Sequence, residues 1–264
     1  MIPRLVDIHN HFVPGVDDGA PTLDDALHYL REFVELGITR VVTTPHLSAR
    51  RLHGQRRAAI DASFGELARA VSAELPELEL TGAYEICLDE PDVDMSDEGL
   101  GFGDGKALLI EFPMLMLPAY PDRMVAAVQD QGWRPILAHP ERYLGIGARP
   151  GWLDRLRSIG TVLCLNAGSL WGEYGAEAQT VSHRMLRDGL ADIIASDHHA
   201  RPHRATTIRR VWDVLAAAGH EDAATTLLHH NPLAVLDGNM TAPVETFTIE
   251  TGLWGKLRRM MGRR

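Results

Sequence analysis

Cysteine is nearly absent: Cys87 and Cys164 are the only two in 264 residues. So few cannot staple a chain of this length, and a reducing compartment, the cytoplasm, is the expectation. Basic charge is also short, with 26 Lys and Arg against 36 Asp and Glu and a formal net charge of −10. That balance excludes a nucleic-acid partner, because phosphate-backbone affinity needs a cationic surface that releases counterions. No apolar run reaches the roughly 18 residues of a membrane span. The opening MIPRLVDIHNHF lacks the basic and then apolar pattern of an export signal. Neither export nor membrane insertion is expected. With 45% hydrophobic and 23% charged residues, the composition is that of a folded chain. By length it holds about one to two domains, and α/β barrels commonly occupy this length as one.

What the chain does have is alternation of short apolar runs with amphipathic stretches, the pattern of βα units around a parallel sheet. Seven strands are predicted: Leu5–His9, Arg40–Thr44, Leu78–Tyr84, Ala107–Phe112, Arg134–Ala138, Thr161–Asn166 and Ala191–Ser196. Runs such as Leu108-Leu109-Ile110 and Ile193-Ile194-Ala195 are apolar without alternation, as in strands covered on both faces. A helix opens after Thr22, carries Leu23, Ala26, Leu27, Leu30, Phe33 and Val34 at helical spacing, and closes at Gly37. Others follow Asp122 and Thr206, ending at Gly132 and Gly219, and one runs from about Ala58 to Leu75 before Pro76. The barrel unit is expected over residues 1–240 and an extension over 241–264. On a helix, Leu253, Trp254, Leu257, Met260 and Met261 of that extension share a face among five basic residues, a pattern for docking on a membrane surface or a partner, or simply a solvated terminus.

Histidine is the abundant chemical residue, 13 in all, and it gathers with acids at predicted strand ends. After the first strand come His9-Asn10-His11 and Val16-Asp17-Asp18-Gly19. The second ends in Thr44-Pro45-His46, the third in Tyr84-Glu85 and the fourth in Ile110-Glu111-Phe112. The fifth ends in His139-Pro140-Glu141-Arg142-Tyr143, and the seventh in Ser196-Asp197-His198-His199. In a parallel barrel these ends converge on one mouth. Acids gathered there repel one another unless cations neutralise them. Imidazole and carboxylate without thiolate favour manganese, iron or zinc, and so many ligands imply more than one ion. Such a cluster suits hydrolysis of a phosphate ester.

These motifs, in order from about Leu5 to Leu236, resemble the polymerase-and-histidinol-phosphatase superfamily. Within it, Val16-Asp17-Asp18-Gly19 and His139-x-Glu141-Arg142-Tyr143 are similar to the tyrosine-protein phosphatases encoded with bacterial capsular or exopolysaccharide export systems. The resemblance implies an α/β fold, a distorted (β/α)7 TIM-like barrel, with three divalent ions, manganese foremost, at the carboxyl ends of its strands. It assigns His9, His11, Glu85 and Asp197 to one ion, Glu85, Glu111 and His139 to a second, and Asp18, His46 and His199 to a third. It makes Arg142 a phosphate-binding arginine and implies a second one, Arg201 or Arg204, with Arg204 favoured. It further implies oligomer formation and, as partner, the phosphotyrosine tail of a tyrosine kinase.

The expected reaction is in-line attack on phosphorus by a hydroxide bridging the ions, with the arginine neutralising equatorial oxygens. Glu141, Asp18 or the ions alone would assist proton transfer to the leaving phenolate, and the sequence does not choose among them. Neither cysteine is followed by the Cys-x5-Arg pattern of a cysteine nucleophile. The alternatives are a small-molecule phosphoesterase acting on histidinol phosphate or nucleotide phosphates, and a regulatory binder with a vestigial centre. His28, His183, His220, His229 and His230 read as surface or packing residues, and His198 as a structural one pointing away from Asp197 and His199. Asp17 reads as a turn or supporting residue, with an exchange of roles between it and Asp18 left open. Arg50, Arg51, Arg56 and Arg57 read as a solvated face or a landing site for an acidic phosphopeptide.

Overall fold

The structure is a computed structural model that describes residues 4–90, 92–102, 106–149, 151–201 and 208–247. Its strands are β1 (Leu5–Asp7), β2 (Ile38–Thr43), β3 (His46–Ser48), β4 (Glu79–Gly82), β5 (Glu85–Cys87), β6 (Ala107–Glu111), β7 (Arg134–Ala138), β8 (Val162–Asn166) and β9 (Ile193–Ala195). The helices are α1 (Leu23–Glu35), α2 (Gln55–Glu74), α3 (Pro121–Gln129), α4 (Gly151–Ser158), α5 (Ala176–Arg187), α6 (Ile208–Ala217), α7 (Glu221–Thr225) and α8 (Asn231–Leu236). A π-helical turn, Thr226–His230, joins the last two. It ends where Pro232, which has no N–H, enters the helix.

All pairing is parallel, in a three-stranded sheet ordered β1-β2-β4 and a six-stranded sheet ordered β3-β5-β6-β7-β8-β9. Two short strands beyond the seven expected, β3 and β5, follow the expected second and third strands. Pro45 separates β2 from β3 and cannot donate to a ladder, and Ala83-Tyr84 separates β4 from β5. Single hydrogen bonds carry on across the breaks: Ala83 N–H to the Thr43 carbonyl at 3.0 Å and Glu85 N–H to the Pro45 carbonyl at 3.1 Å. Strand pairing as such gives two sheets, not one continuous ring.

Side chains of successive strand residues go to two separate cores. Leu5, Val41, Leu108, Ile110, Leu137, Leu163, Leu165 and Ile194 pack with the helices in the larger cluster. Val6, Val42, Leu109, Ile136, Ala138, Val162, Cys164, Ile193 and Ala195 form a second cluster, completed by Phe102 and by Val235 and Leu236 of α8. Strands buried on both faces are why their sequences lack alternation.

The expected helix after Thr22 is α1, with the Thr22 hydroxyl accepting from the Asp25 N–H at 3.2 Å and Gly37 following at φ 83°. The expected extension is tied down over its first seven residues. Val244 and Phe247 belong to the larger core, Phe247 stacks on His220 at 4.6 Å, and the Asn231 side chain exchanges hydrogen bonds with both Ala242 N–H and carbonyl at 2.7 and 2.9 Å. The apolar and basic face expected over residues 253–264 lies outside the described residues. No helix among the described residues is long and apolar enough to cross a membrane.

Candidate metal centre

Apart from Asp18, which a loop after β1 carries, the expected ligands sit at strand termini or within a few residues of them. His9, Asn10 and His11 continue β1, and a parallel bridge pairs Asn10 with His198 beyond β9. There the Asp197 N–H donates to the His9 carbonyl at 2.8 Å and the His11 N–H to the His198 carbonyl at 2.9 Å. His46 opens β3, opposite Glu85, which opens β5. Glu111 closes β6, and His139 follows β7, its N–H still on the ladder to the Cys164 carbonyl at 2.8 Å. A tight turn then brings the Arg142 N–H back to the His139 carbonyl at 2.9 Å. His139, Asp197 and Ala200 hold positive φ of 36°, 50° and 51°. A non-glycine residue held there costs roughly 1–3 kcal/mol, and such strain gathers where function requires a particular side-chain direction.

The loop Val16-Asp17-Asp18-Gly19 lies against the His11 backbone. A Cβ on Gly19 would come within 2.0 Å of the His11 carbonyl oxygen, so only glycine permits the approach. From this loop Asp17 reaches His11 Nδ1 at 2.8 Å and accepts from the Gly19 and His46 N–H groups at 2.9 and 3.1 Å. A ring nitrogen committed to a carboxylate leaves the other free to bind a cation. His199 is set the same way, Nδ1 against the Asp197 carbonyl at 2.8 Å.

The nine expected ligands come together. Their ligand atoms form four overlapping groups, each within 4.8 Å: His11, Asp18, His46 and His199; His9, Glu85 and His139; His9, His11 and Asp197; His46, Glu85 and Glu111. Glu85 is central, with Oε2 3.3 Å from His9 Nε2, 3.5 Å from His11 Nε2 and 2.9 Å from His46 Nδ1, and Oε1 2.8 Å from His139 Nε2. Asp197 Oδ1 lies 3.4 and 3.3 Å from the His9 and His11 Nε2 atoms. Asp18 Oδ1 lies 3.3 Å from His199 Nε2 and 3.6 Å from His46 Nε2. Glu111 is 3.3 Å from His46 and 4.0 Å from His139, so it leans toward His46, away from the grouping inferred from sequence. One side of the cluster is closed, with Glu85 fully buried, and the other is open at Asp18, whose side chain is 55% exposed.

These residues fit divalent cations. His9 Nε2, His11 Nε2, His46 Nδ1 and Glu85 Oε2 are buried without a hydrogen-bond partner, atoms that cost free energy unless something binds them. The electrostatics agree. Burial opposes charge on His9 and His11, yet the facing carboxylates push both up to about 10, and His46 beside Glu85 and Glu111 goes up to about 12. Burial likewise opposes charge on Glu85 and Asp197, and the surrounding imidazoles hold both well below the usual carboxylate range. The acids demand positive charge, which bound cations would supply in place of protons.

Arg142 is brought to the centre: Nη1 donates to Asp197 Oδ2 at 2.5 Å and the guanidinium lies 4.0 Å over the Tyr174 ring. Asn166, ending β8, donates to the same Asp197 oxygen at 2.8 Å. Arg201 donates to the Asp18 side chain at 3.0 Å and to its carbonyl at 2.9 Å. Arg204, the favoured second arginine, lies outside the described residues. Glu141 has no geometric support for proton transfer. It is buried outside the four ligand groups, its Oε1 accepting from the Ser169 hydroxyl at 2.6 Å and the Asn166 N–H at 3.2 Å.

Sequence reading missed Tyr174 and Asn166. A strand-terminal asparagine in a series of His, Asp and Glu was a usable signal for the second, whereas Tyr174 stands in a loop that carries no pattern. His198 does turn the other way, packed on Phe12, Tyr29 and Phe33, with burial lowering it to about 4. Arg50 pairs with Glu90 at 2.8 Å and Arg57 with Asp97 at 2.5 Å, while Arg56 bonds the Val16 carbonyl. Three of the four arginines of that basic face are thus engaged within the protein. Burial pushes the Cys87 thiol up to about 12 and also raises Cys164, so neither offers a thiolate.

A profile for capsular polysaccharide synthesis proteins of the CpsB/CapC type matches residues 5–237. The chain belongs to the CpsB/CapC family. This CpsB/CapC chain is 31% identical over 196 residues to the tyrosine-protein phosphatase YwqE of Bacillus subtilis, covering 74% of this chain and 77% of that one. It is 23% identical over 239 residues to the tyrosine-protein phosphatase CpsB of Streptococcus pneumoniae, covering 88% and 98%. A crystal structure from the YwqE and CpsB metal-dependent tyrosine phosphatases superposes with a TM-score of 0.79 at 26% identity, covering 93% of this chain and all of that one.

Proposed function

We propose that this CpsB/CapC chain is a metal-dependent phosphatase that hydrolyses phosphotyrosine in a polypeptide, the tail of a polysaccharide-export tyrosine kinase, in the cytoplasm. The observation that carries the reading is the meeting of nine His, Asp and Glu side chains with orphaned buried atoms beside Arg142, in a chain whose relatives are tyrosine-protein phosphatases.

Three ions, manganese foremost, with iron or zinc as substitutes, suit this donor set of imidazole and carboxylate. Bound there, they would polarise phosphoryl oxygens and make water acidic enough to attack near neutral pH. His9, His11, Glu85 and Asp197 would hold one ion, with Glu85 shared. Glu85, Glu111 and His139 would hold a second, and Asp18, His46 and His199 a third. Arg142, held by Asp197 and Tyr174, keeps N–H groups free for the equatorial oxygens of a phosphate dianion. The open side at Asp18 and His46 admits the substrate, and Arg201 on Asp18 is the described candidate for the second clamp. Tyrosine leaves as a phenolate of ordinary pKa near 10, so a strong general acid is not required, and Asp18 is the exposed carboxylate available to steer the proton.

Two further readings concern the fold. The inner core draws side chains from β1, β2, β6, β7, β8 and β9, and Asn10 bridges to His198, which supports one distorted (β/α)7 TIM-like barrel. The barrel unit would occupy residues 1–240, with 241–264 as an extension whose start is anchored to it.

The test is a substrate panel on chelator-stripped protein, with a phosphotyrosine peptide, a phosphoserine peptide and histidinol phosphate, each with and without manganese. Manganese-dependent turnover selective for phosphotyrosine is expected. Preference for histidinol phosphate would keep the centre and overturn the substrate, and no turnover with any metal would point to a binding protein.

A further inference from the structure

Beside the candidate centre lies a cavity of about 530 Å³, in the size range of ligand sites. It is bounded by the first turns of α3 and α4, and its lining includes Tyr120, Asp122, Arg123, Arg149, Trp152 and Arg155. Three guanidinium groups thus face one acid, in a chain whose formal charge is −10. Asp122 is already taken by Arg155 at 3.3 Å. Arg123 lies 4.9 Å over the Tyr120 ring, and among the described residues neither it nor Arg149 has a carboxylate partner. The Trp152 ring forms part of the wall. The charged side chains left without a carboxylate are both guanidinium groups, and the amino-terminal ends of two helices add positive potential. Such a lining fits a dianion that takes several donors at once.

The cavity shares its loops with the centre. Tyr120 lies on the connection after Glu111 and Arg149 on the connection after Arg142, and a bridge between Met116 and Leu144 ties the two connections together. The Trp152 ring is 6.1 Å from the Tyr143 ring, which is 6.2 Å from that of His139. The two steps set an upper bound of about 12 Å on the Trp152–His139 ring separation, at most about four residues of extended chain at roughly 3.3 Å each.

We propose that this arginine cavity is a second anion site, which holds a phosphorylated or acidic side chain of the same polypeptide whose phosphotyrosine occupies the metal centre. The inference rests on the phosphotyrosine reading above, and its test separates the two. Peptides carrying one phosphotyrosine are compared with peptides carrying a second phosphotyrosine, a Glu-Glu pair or a neutral pair about four residues away. They are assayed on the metal-loaded protein and on its Arg123→Ala/Arg149→Ala variant, with an aryl phosphate as control. The second phosphate is expected to lower KM about tenfold with little change in kcat, and the Glu-Glu pair to do so less. The variant should lose that advantage while keeping its rate on the aryl phosphate. An advantage that survives in the variant, or is absent from the wild type, overturns the proposal.

Binding of peptides bearing non-hydrolysable phosphotyrosine mimics, read by fluorescence anisotropy, gives an answer independent of turnover. Arginine-dependent preference for two mimics with no turnover of any phosphotyrosine peptide would sink the activity and keep the site. Turnover with no such preference would do the reverse. Arginine-dependent binding to anionic phosphatidylglycerol vesicles, with no effect of the second phosphate, also overturns the proposal.

Discussion

Arg142 shows how a single side chain is prepared for its task. Asp197 fixes one end of the guanidinium and Tyr174 one face, so a charge fixed at every relevant pH is also held in direction. Arg142→Ala is expected to lower kcat/KM on the order of 10²-fold, about 3 kcal/mol at the transition state, with metal content unchanged. Arg142→Lys should recover only part of it, because a point charge cannot form the planar fork. Rates and metal analysis on both variants check this, and an unchanged rate would remove Arg142 from the site. Glu85→Gln tests the other extreme. Its carboxylate meets four imidazoles, so the variant is expected to lose bound metal and activity together. Retained stoichiometry by elemental analysis would contradict the shared-ligand role. The ligands were legible in the sequence because most stand where an apolar run gives way to polar residues, which have no packing reason to be there. Tyr174 and the leaning of Glu111 toward His46 were not legible, since both depend on side-chain direction across the mouth.

Among the elements, the loop ending in Gly19 and the segment after α8 are held by close tertiary contact. Gly19→Ala puts a methyl group against the His11 backbone. The expected result is a loss of roughly 1–3 kcal/mol of stability, as in overpacking, with weaker metal retention because Asp17 and Asp18 move with the loop. Calorimetry and metal content read both, and wild-type values for both would mean that the loop can shift freely. Asn231, fully buried, spends its side chain on the Asp192 carbonyl and on both backbone groups of Ala242. Asn231→Ala strands these groups and is expected to cost about 1–3 kcal/mol, with hydrogen exchange accelerated first at Ala242. Helix starts such as Thr22 were readable from local chemistry. The anchoring of residues 241–247 was not, because it depends on how the buried Asn231 side chain and the His220 ring face the segment once the helices have packed.

For the molecule as a whole, the centre couples metal, protons and stability. In metal-free protein, His9 and His11 are pushed up to about 10 by the facing carboxylates. Their contribution to stability is therefore complete below the ordinary histidine value near 6.5 and is lost as pH rises toward 10. Chelated protein is expected to lose thermal stability progressively over that interval, and metal-loaded protein to lose much less. Cations must displace the same protons, so metal affinity should fall as pH is lowered, with proton release visible by titration calorimetry in buffers of different ionisation enthalpy. Equal pH profiles with and without metal would contradict the coupling.

The sequence by itself determined that this chain builds parallel α/β structure and carries His, Asp and Glu at successive strand ends. Those features are written in local order: apolar runs, caps, and the residue that follows each strand. Only the tertiary structure decided which imidazole faces which carboxylate, that Asp17 and the Asp197 carbonyl orient His11 and His199, and that Glu141 bonds Ser169 and Asn166. It alone also brought Arg123, Arg149 and Trp152 around one cavity. Those outcomes depend on distances between residues far apart in the chain, and such distances exist only once the sheets, helices and loops have packed.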